Sequence, residues 1–307
     1  MIDKKYCSPN AKLKNSTCLS KNSLIELIKC WNKNKANKNK ILFNPNNSTI
    51  ELFNKLNDVL KNICGANNYW FWTDIIKLKT NDYDSIKKID IIDEKELRPS
   101  QPDDWIENPV EWLSNFDIIN VMKQYEDIKS LNYKFLGVFP IDFSLKSNNK
   151  CTYGNDCNID IRDLIKKKIK YIGFITNLDK HNEPGSHWTS TFININPKSN
   201  SYGAYYYDST SKTIPNYIVL FLDDIKKQLK DIYKNKTFDY YYNHIRHQRS
   251  NTECGVFSIV YQVLCVKLLK KNKDTPIDDV FNNDEMTDKV MYKVRNTIFR
   301  PNIKSII

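Results

Sequence analysis

The stretch 243–269, NHIRHQRSNTECGVFSIVYQVLCVKLL, constrains this chain more than any other. A polar run ends at Cys254-Gly255, and an apolar pattern begins at once. Val256, Phe257, Ile259, Val260, Val263, Leu264 and Leu268 recur at the threes and fours of a helix buried over most of its surface. Asn251 or Thr252 is the expected N-cap, which puts Cys254 in the first turn. Unpaired amides and the helix macrodipole favour an anion there, so a thiolate becomes accessible near neutral pH. Cys254 is therefore a candidate nucleophile. The competing reading is a cysteine packed as a small hydrophobe, and its partners must decide.

A cysteine nucleophile needs a base, and the chain has four histidines: His181, His187, His244 and His247. His187 opens HWTSTFINI, which alternates as a half-buried strand after the loop-like DKHNEPGS. NPKSNSYG reads as a turn, and AYYYDST as the second strand of a hairpin closing with Asp208. In such a hairpin Asp208 lies near the end that carries His187, where it can fix the tautomer and orientation of the imidazole. Gln248 sits in the polar loop just before Cys254. Its amide is a candidate oxyanion donor, with the Cys254 backbone N–H as the other.

These residues in this order resemble the SUMO-protease/adenain superfamily of cysteine proteases. Within it, the likeness is greatest to the polyprotein-processing proteases of African swine fever virus and other large DNA viruses. It rests on IRHQRSNTECG (245–255), GSHW (185–188), YYYDST (205–210) and MYKVRNTIFR (291–300), with weaker support from CLSKNSLIELI (18–28). EWLSNFDIINVMKQYE (111–126) resembles the helix that opens the SUMO-protease core. The resemblance implies an α+β fold, with a central mixed sheet flanked by helices, the nucleophile at a helix N-terminus and an N-terminal helical arm. It also implies a thiol endopeptidase with catalytic Cys254, His187, Asp208 and Gln248, cleaving after glycine at Gly-Gly or Gly-X-Gly sites. No metal or organic cofactor is required. Trp188, pressing on backbone that carries no side chains, and Trp112, lining the substrate channel, are the candidate substrate-binding residues; ordinary core packing is the competing reading for each. One departure stands out. The swine-fever-type enzymes are expected to have asparagine at the third catalytic position, whereas this chain has Asp208, as in the SUMO proteases.

The implied substrate is a polypeptide with a glycine-rich site: a viral polyprotein, or a ubiquitin-like protein in a deconjugating enzyme. An acyltransferase or a binding module on the same fold is the reading from another class. The implied location is the virion and the host cytoplasm, and the Lys-, Asn- and Ile-rich composition fits an AT-rich genome. The net charge of +11 reads as a solvated basic surface. Nucleic acid is the secondary partner class, because no RNP motif, zinc finger or basic helix supports it. Eight cysteines without a paired spacing, no secretory signal and no apolar run of membrane length point to a reducing, soluble setting. Cys151 and Cys157 read as loop thiols rather than as half of a zinc site.

In chain order, helices are expected from Cys18 to about Trp31, capped by Ser20 or Asn22, and from Ser48 to Cys64. The latter has Ile50, Leu52, Phe53, Leu56, Val59, Leu60 and Ile63 on one side. Residues 69–72, YWFW, read as core at a helix junction, and 80–104 as a boundary segment. The arm is thus 1–104 and the protease core 105–307. Within the core, Asn108-Pro109 is expected to start a helix containing Trp112. Strands at 133–141, 171–177 and 238–245 and helices at 161–170, 215–235 and from Asp284 or Thr287 to Phe299 complete the prediction.

Overall fold

The computed structural model describes residues 5–11, 17–34, 39–148, 150–152 and 157–306. Parts of the lysine- and asparagine-rich segments 1–16 and 32–40 lie outside the described residues. The chain divides into two compact units: residues 1–111 with 295–307, and residues 112–294.

The first unit is helical. α1 (Lys21–Lys33) starts where Ser20 accepts the Ser23 amide, and α2 (Thr49–Cys64) starts with a capping box between Ser48 and Glu51. α2 buries Leu52, Phe53, Leu56 and Leu60, but leaves Ile50 half exposed and Ile63 at the surface. The YWFW group is core as expected: Tyr69, Phe71 and Trp72 are buried around the start of α3 (Trp72–Leu78). The expected boundary segment instead holds α4 (Tyr83–Glu96), whose cap is Asp82 and whose buried apolar residues are Ile89 and Ile92. So sparse an apolar stripe hides the helix from a periodicity reading. The boundary itself lies at 111/112 rather than 104/105. Trp105 explains the shift, since it packs edge-on against Phe299 at 5.2 Å and under the Arg295 guanidinium at 4.2 Å.

The second unit begins with an extended segment, and α5 (Asn115–Glu126) follows. The helix expected from Asn108-Pro109 is thereby corrected: Ser114 forms a capping box with Asp117, so Trp112 and Leu113 precede the helix. Then come β1 (Tyr133–Pro140), the short hairpin β2 (Lys146–Ser147) and β3 (Lys150–Cys151), α6 (Ile161–Lys166), β4 (Tyr171–Asn177), β5 (Trp188–Asn194) and β6 (Gly203–Tyr207). α7 (Asn216–Ile232), β7 (Asp239–Tyr242), α8 (Cys254–Lys271), α9 (Asp278–Phe281) and α10 (Asp288–Ile298) follow, and the division between units falls within α10.

The five-stranded sheet has the order β1-β4-β5-β6-β7. β1 and β7 run parallel to their neighbours, whereas β4, β5 and β6 are antiparallel in sequence, so the sheet is mixed. On one face Ile172, Phe174, Ile193 and Tyr206 pack with Phe221, Leu222, Ile225 and Leu229 of α7. α8 packs on β5 and β4 on the other face, and α5 on β1. The deepest face of α8 is turned from the expected one. It buries Tyr261, Gln262, Cys265, Val266 and Leu269, leaving Val260, Val263, Leu264 and Leu268 less completely covered. The buried Gln262 amide is matched: Nε2 donates to Ser190 Oγ at 2.8 Å and to the Thr191 carbonyl at 2.7 Å, while Tyr133 donates to Oε1 at 3.0 Å. Gly173 leaves room for this cluster, because a Cβ there would lie inside contact with both Gln262 and Tyr133.

Two cysteine readings are corrected. Cys151 and Cys157 form a disulfide, as do Cys7 and Cys18, so they are not loose thiols. Neither pairing can be deduced from spacing alone. Cys30, Cys64, Cys254 and Cys265 are free. Among the described residues, no helix is long and apolar enough to cross a membrane.

Candidate active site

The register Ser190↔Tyr207 places His187 one residue before β5 and Asp208 one residue after β6, at the same end of the hairpin. There His187 Nε2 lies 2.9 Å from Asp208 Oδ1. Asp208 is fully buried and His187 largely so. The same oxygen accepts from the Thr210 amide and hydroxyl, each at 2.7 Å. Asn243 grips the Asp208 backbone in both directions, accepting from its N–H at 2.9 Å and donating to its carbonyl at 2.8 Å. The sequence reading missed Asn243 and Thr210. The visible signal for Asn243 is an amide ending an alternating tyrosine strand, where the chain must turn.

α8 starts at Cys254, as its pattern demands, but its N-cap is Glu253 rather than Asn251 or Thr252, and no side chain caps the helix. Its first turn is pressed onto the His187 end of β5. The place a Gly255 Cβ would occupy is 3.2 Å from Leu113 and 3.3 Å from Trp188, and Ser258 Oγ donates to the Trp188 carbonyl at 3.2 Å. This close approach, which glycine permits, brings the start of α8, where Cys254 sits, to the end of β5 that His187 precedes.

The electrostatics follow from the contacts. Burial is the largest influence on His187 and opposes its charge. The hydrogen bond that the ring donates to Asp208, then the influence of the Cys254 sulfur, outweigh it and raise the imidazole to about 9. For Asp208, burial again opposes the charge, but His187 and Thr210 hold the carboxyl below its ordinary value. The other histidines sit elsewhere. His181 binds Asp142, His247 Nδ1 lies 2.9 Å from the Tyr207 hydroxyl, and His244 lies beside the Tyr242 ring. Burial lowers the His247 imidazole below its ordinary value.

Gln248 is buried and tied to the Asp208 turn. Its backbone N–H and that of His247 both donate to the Ser209 carbonyl at 2.9 Å, and Ser209 Oγ donates to Gln248 Oε1 at 2.6 Å. Gln248 Nε2 uses one N–H on the Ser250 carbonyl at 2.9 Å. A primary amide carries two such donors. Farther along the loop, Asp288 at the start of α10 accepts from the Arg249 and Ser250 amides and the Ser250 hydroxyl.

Trp188 and Trp112, singled out from the sequence, line one cleft of about 480 Å³. Trp188 Nε1 donates to the Leu113 carbonyl at 2.9 Å, which fixes the ring. Trp112 is 42% exposed at the mouth, so ordinary core packing does not account for it. Leu113 and Trp188 are both cleft lining and the contacts of Gly255, so the cleft abuts the start of α8.

The chain has relatives among known proteins, although no protein-family model matches it. It is 32% identical over 196 residues to the putative thiol protease R355 of Acanthamoeba polyphaga mimivirus, covering 62% of this chain and 57% of that protein. The chain thus spans little more than half the length of that relative. It is 26% identical over 233 residues to a cysteine protease of African swine fever virus, covering 71% and 78% respectively. The crystal structure of the African swine fever virus protease superposes with a TM-score of 0.63, at 19% identity, over 98% of both chains. The chain is therefore a homologue of the mimivirus thiol protease and the African swine fever virus cysteine protease, and it has the α+β fold of the latter.

Proposed function

We propose that this protein is a thiol endopeptidase that cleaves after glycine. The observation that carries the reading is the 2.9 Å His187–Asp208 pair at the end of β5 onto which the start of α8, headed by Cys254, packs. His187 takes the thiol proton and holds it, supported by Asp208. The sulfur attacks the scissile carbonyl. The second N–H of Gln248 and the uncapped backbone amides at the start of α8 stabilise the oxyanion. His187 then protonates the departing amine, leaving a thioester. Water, giving its proton to His187, hydrolyses that thioester and restores the thiol. Trp188 and Trp112 flank the substrate backbone, and a glycine without a side chain suits a channel between indoles.

We take the substrate to be a viral polyprotein and the setting to be the virion or infected cytoplasm; what supports this is only that the similar proteases belong to large DNA viruses. A second reading, removal of a ubiquitin-like protein, draws on the name "SUMO-1 cysteine protease" carried by some African swine fever virus relatives. Purified protein assayed on Gly-Gly-X peptides, ubiquitin and SUMO fluorophores, and acetyl-CoA separates these. Cleavage of the peptides alone is the expected result. Preference for a ubiquitin-like fluorophore favours deconjugation, and acetyl transfer without hydrolysis would overturn the endopeptidase reading.

A further inference from the structure

The mechanism leaves one histidine–aspartate pair unused. Asp142, just after β1, is 2% exposed, and both its oxygens bind a single residue: Oδ1 accepts from the His181 backbone N–H at 3.0 Å, and Oδ2 lies 2.7 Å from His181 Nδ1. A buried carboxylate thus fixes main chain and ring together, while the ring stays 39% exposed and lines the cleft beside Trp112 and Trp188.

The rest of this wall, the loop between β4 and β5, has a consistent polarity. Asp179 accepts from the Gly185 amide at 3.0 Å and the Ser186 hydroxyl at 2.5 Å, and Glu183 accepts from the Lys180 amide at 2.7 Å. These two carboxylates, like Asp142, are therefore engaged by groups of the loop itself. Lys180 also lines the cleft, and among the described residues its ammonium pairs with no carboxylate. The cleft lining also includes apolar Leu113, Val138 and Phe139 and polar Ser114 and Asn115. A peptide in the cleft therefore meets indole and aliphatic surface together with a positioned imidazole and the Lys180 ammonium.

We infer that Lys180 and the Asp142-held His181 form a specificity subsite for an acidic substrate side chain. The inference rests on the proposed endopeptidase reading, since it names the chemistry of a substrate residue. It uses Lys180 as the point charge and His181 as the contact whose position Asp142 sets. Acidic partners are favoured and lysine is disfavoured, because rejection by like charge contributes as much as attraction.

The test is a set of Gly-Gly-X peptides carrying Asp, Ala or Lys in turn at each position flanking the glycines. kcat/KM is measured for wild type, Lys180→Glu and Asp142→Asn. Anisotropy binding of the same peptides to Cys254→Ala protein runs in parallel. At one position wild type prefers Asp over Lys by about fivefold, the upper range for a partly exposed ion pair. Lys180→Glu reverses the order, and Asp142→Asn flattens it while hydrolysis of the Ala peptide stays near wild type. Charge-selective binding without hydrolysis would keep the subsite and remove the endopeptidase reading. Cys254-dependent hydrolysis with no Asp preference at any position, or a preference that Lys180→Glu leaves intact, overturns the subsite.

Discussion

Asp208 Oδ1 takes donors from His187 and twice from Thr210, and this concentration explains why a buried carboxyl stays ionised beside an imidazole. The consequence is a pH window. His187 is raised to about 9, so its charge favours the folded state fully below the ordinary histidine value, and that contribution is lost as pH rises through about 9. Activity follows the same proton: kcat/KM is expected to fall on the basic side near pH 9. In Asp208→Asn that limb moves to lower pH, and the maximum drops by about ten- to a hundredfold, the value of a hydrogen bond to a charged group. A basic limb unmoved by the substitution would detach Asp208 from His187. His187→Ala costs as much as losing Cys254, because residues that act as a unit are not additive. Gln248→Ala tests a side chain with two duties. Loss of an oxyanion donor lowers kcat by about 10²–10³-fold with KM little changed. Loss of the Ser209 and Ser250 bonds alone lowers Tm and spares kcat. Most of these residues were legible in the sequence, because chemistry and secondary structure agree at Cys254, His187 and Asp208. Asn243 and the two disulfides were not, since they depend on which loops meet.

At the scale of elements, α8 carries the nucleophile and the sheet holds α8. Gln262 is the polar pin, and Gly173 is the clearance it needs. Gly173→Ala is expected to destabilise the protein by about 1–3 kcal/mol, the range for overpacking a tight core. Chemical denaturation checks it; an unchanged midpoint would mean that the Gln262–Tyr133 cluster moves aside freely. The pattern at 254–269 announced a helix but not which side faces the sheet, because a helix apolar nearly all round has no stripe to read. α4 failed for the opposite reason, having too few buried apolar residues. The start of α5 was misplaced because proline at 109 outweighed the better cap, Ser114 with Asp117.

For the molecule as a whole, the chain ends where it begins: 295–307 completes the helical unit. Arg300 is 2% exposed, binds the Trp70 and Arg98 carbonyls, and pairs with Asp74 and Asp93. Arg300→Ala leaves those carboxylates without their buried partner and is expected to cost about 3–5 kcal/mol. Loss of well under ~1 kcal/mol on denaturation, the scale of an exposed pair, would show the ion pair to be dispensable. A C-terminal segment joining an N-terminal unit could not be read from order along the chain, although the motif at 291–300 marked the region. The central claim is that Cys254 is the nucleophile, and the most direct measurement is turnover of a Gly-Gly-X peptide by wild type and Cys254→Ala at matched fold. The account predicts hydrolysis by wild type, loss to background in the variant, and an unchanged Tm. A folded Cys254→Ala protein with wild-type-like kcat/KM would contradict it.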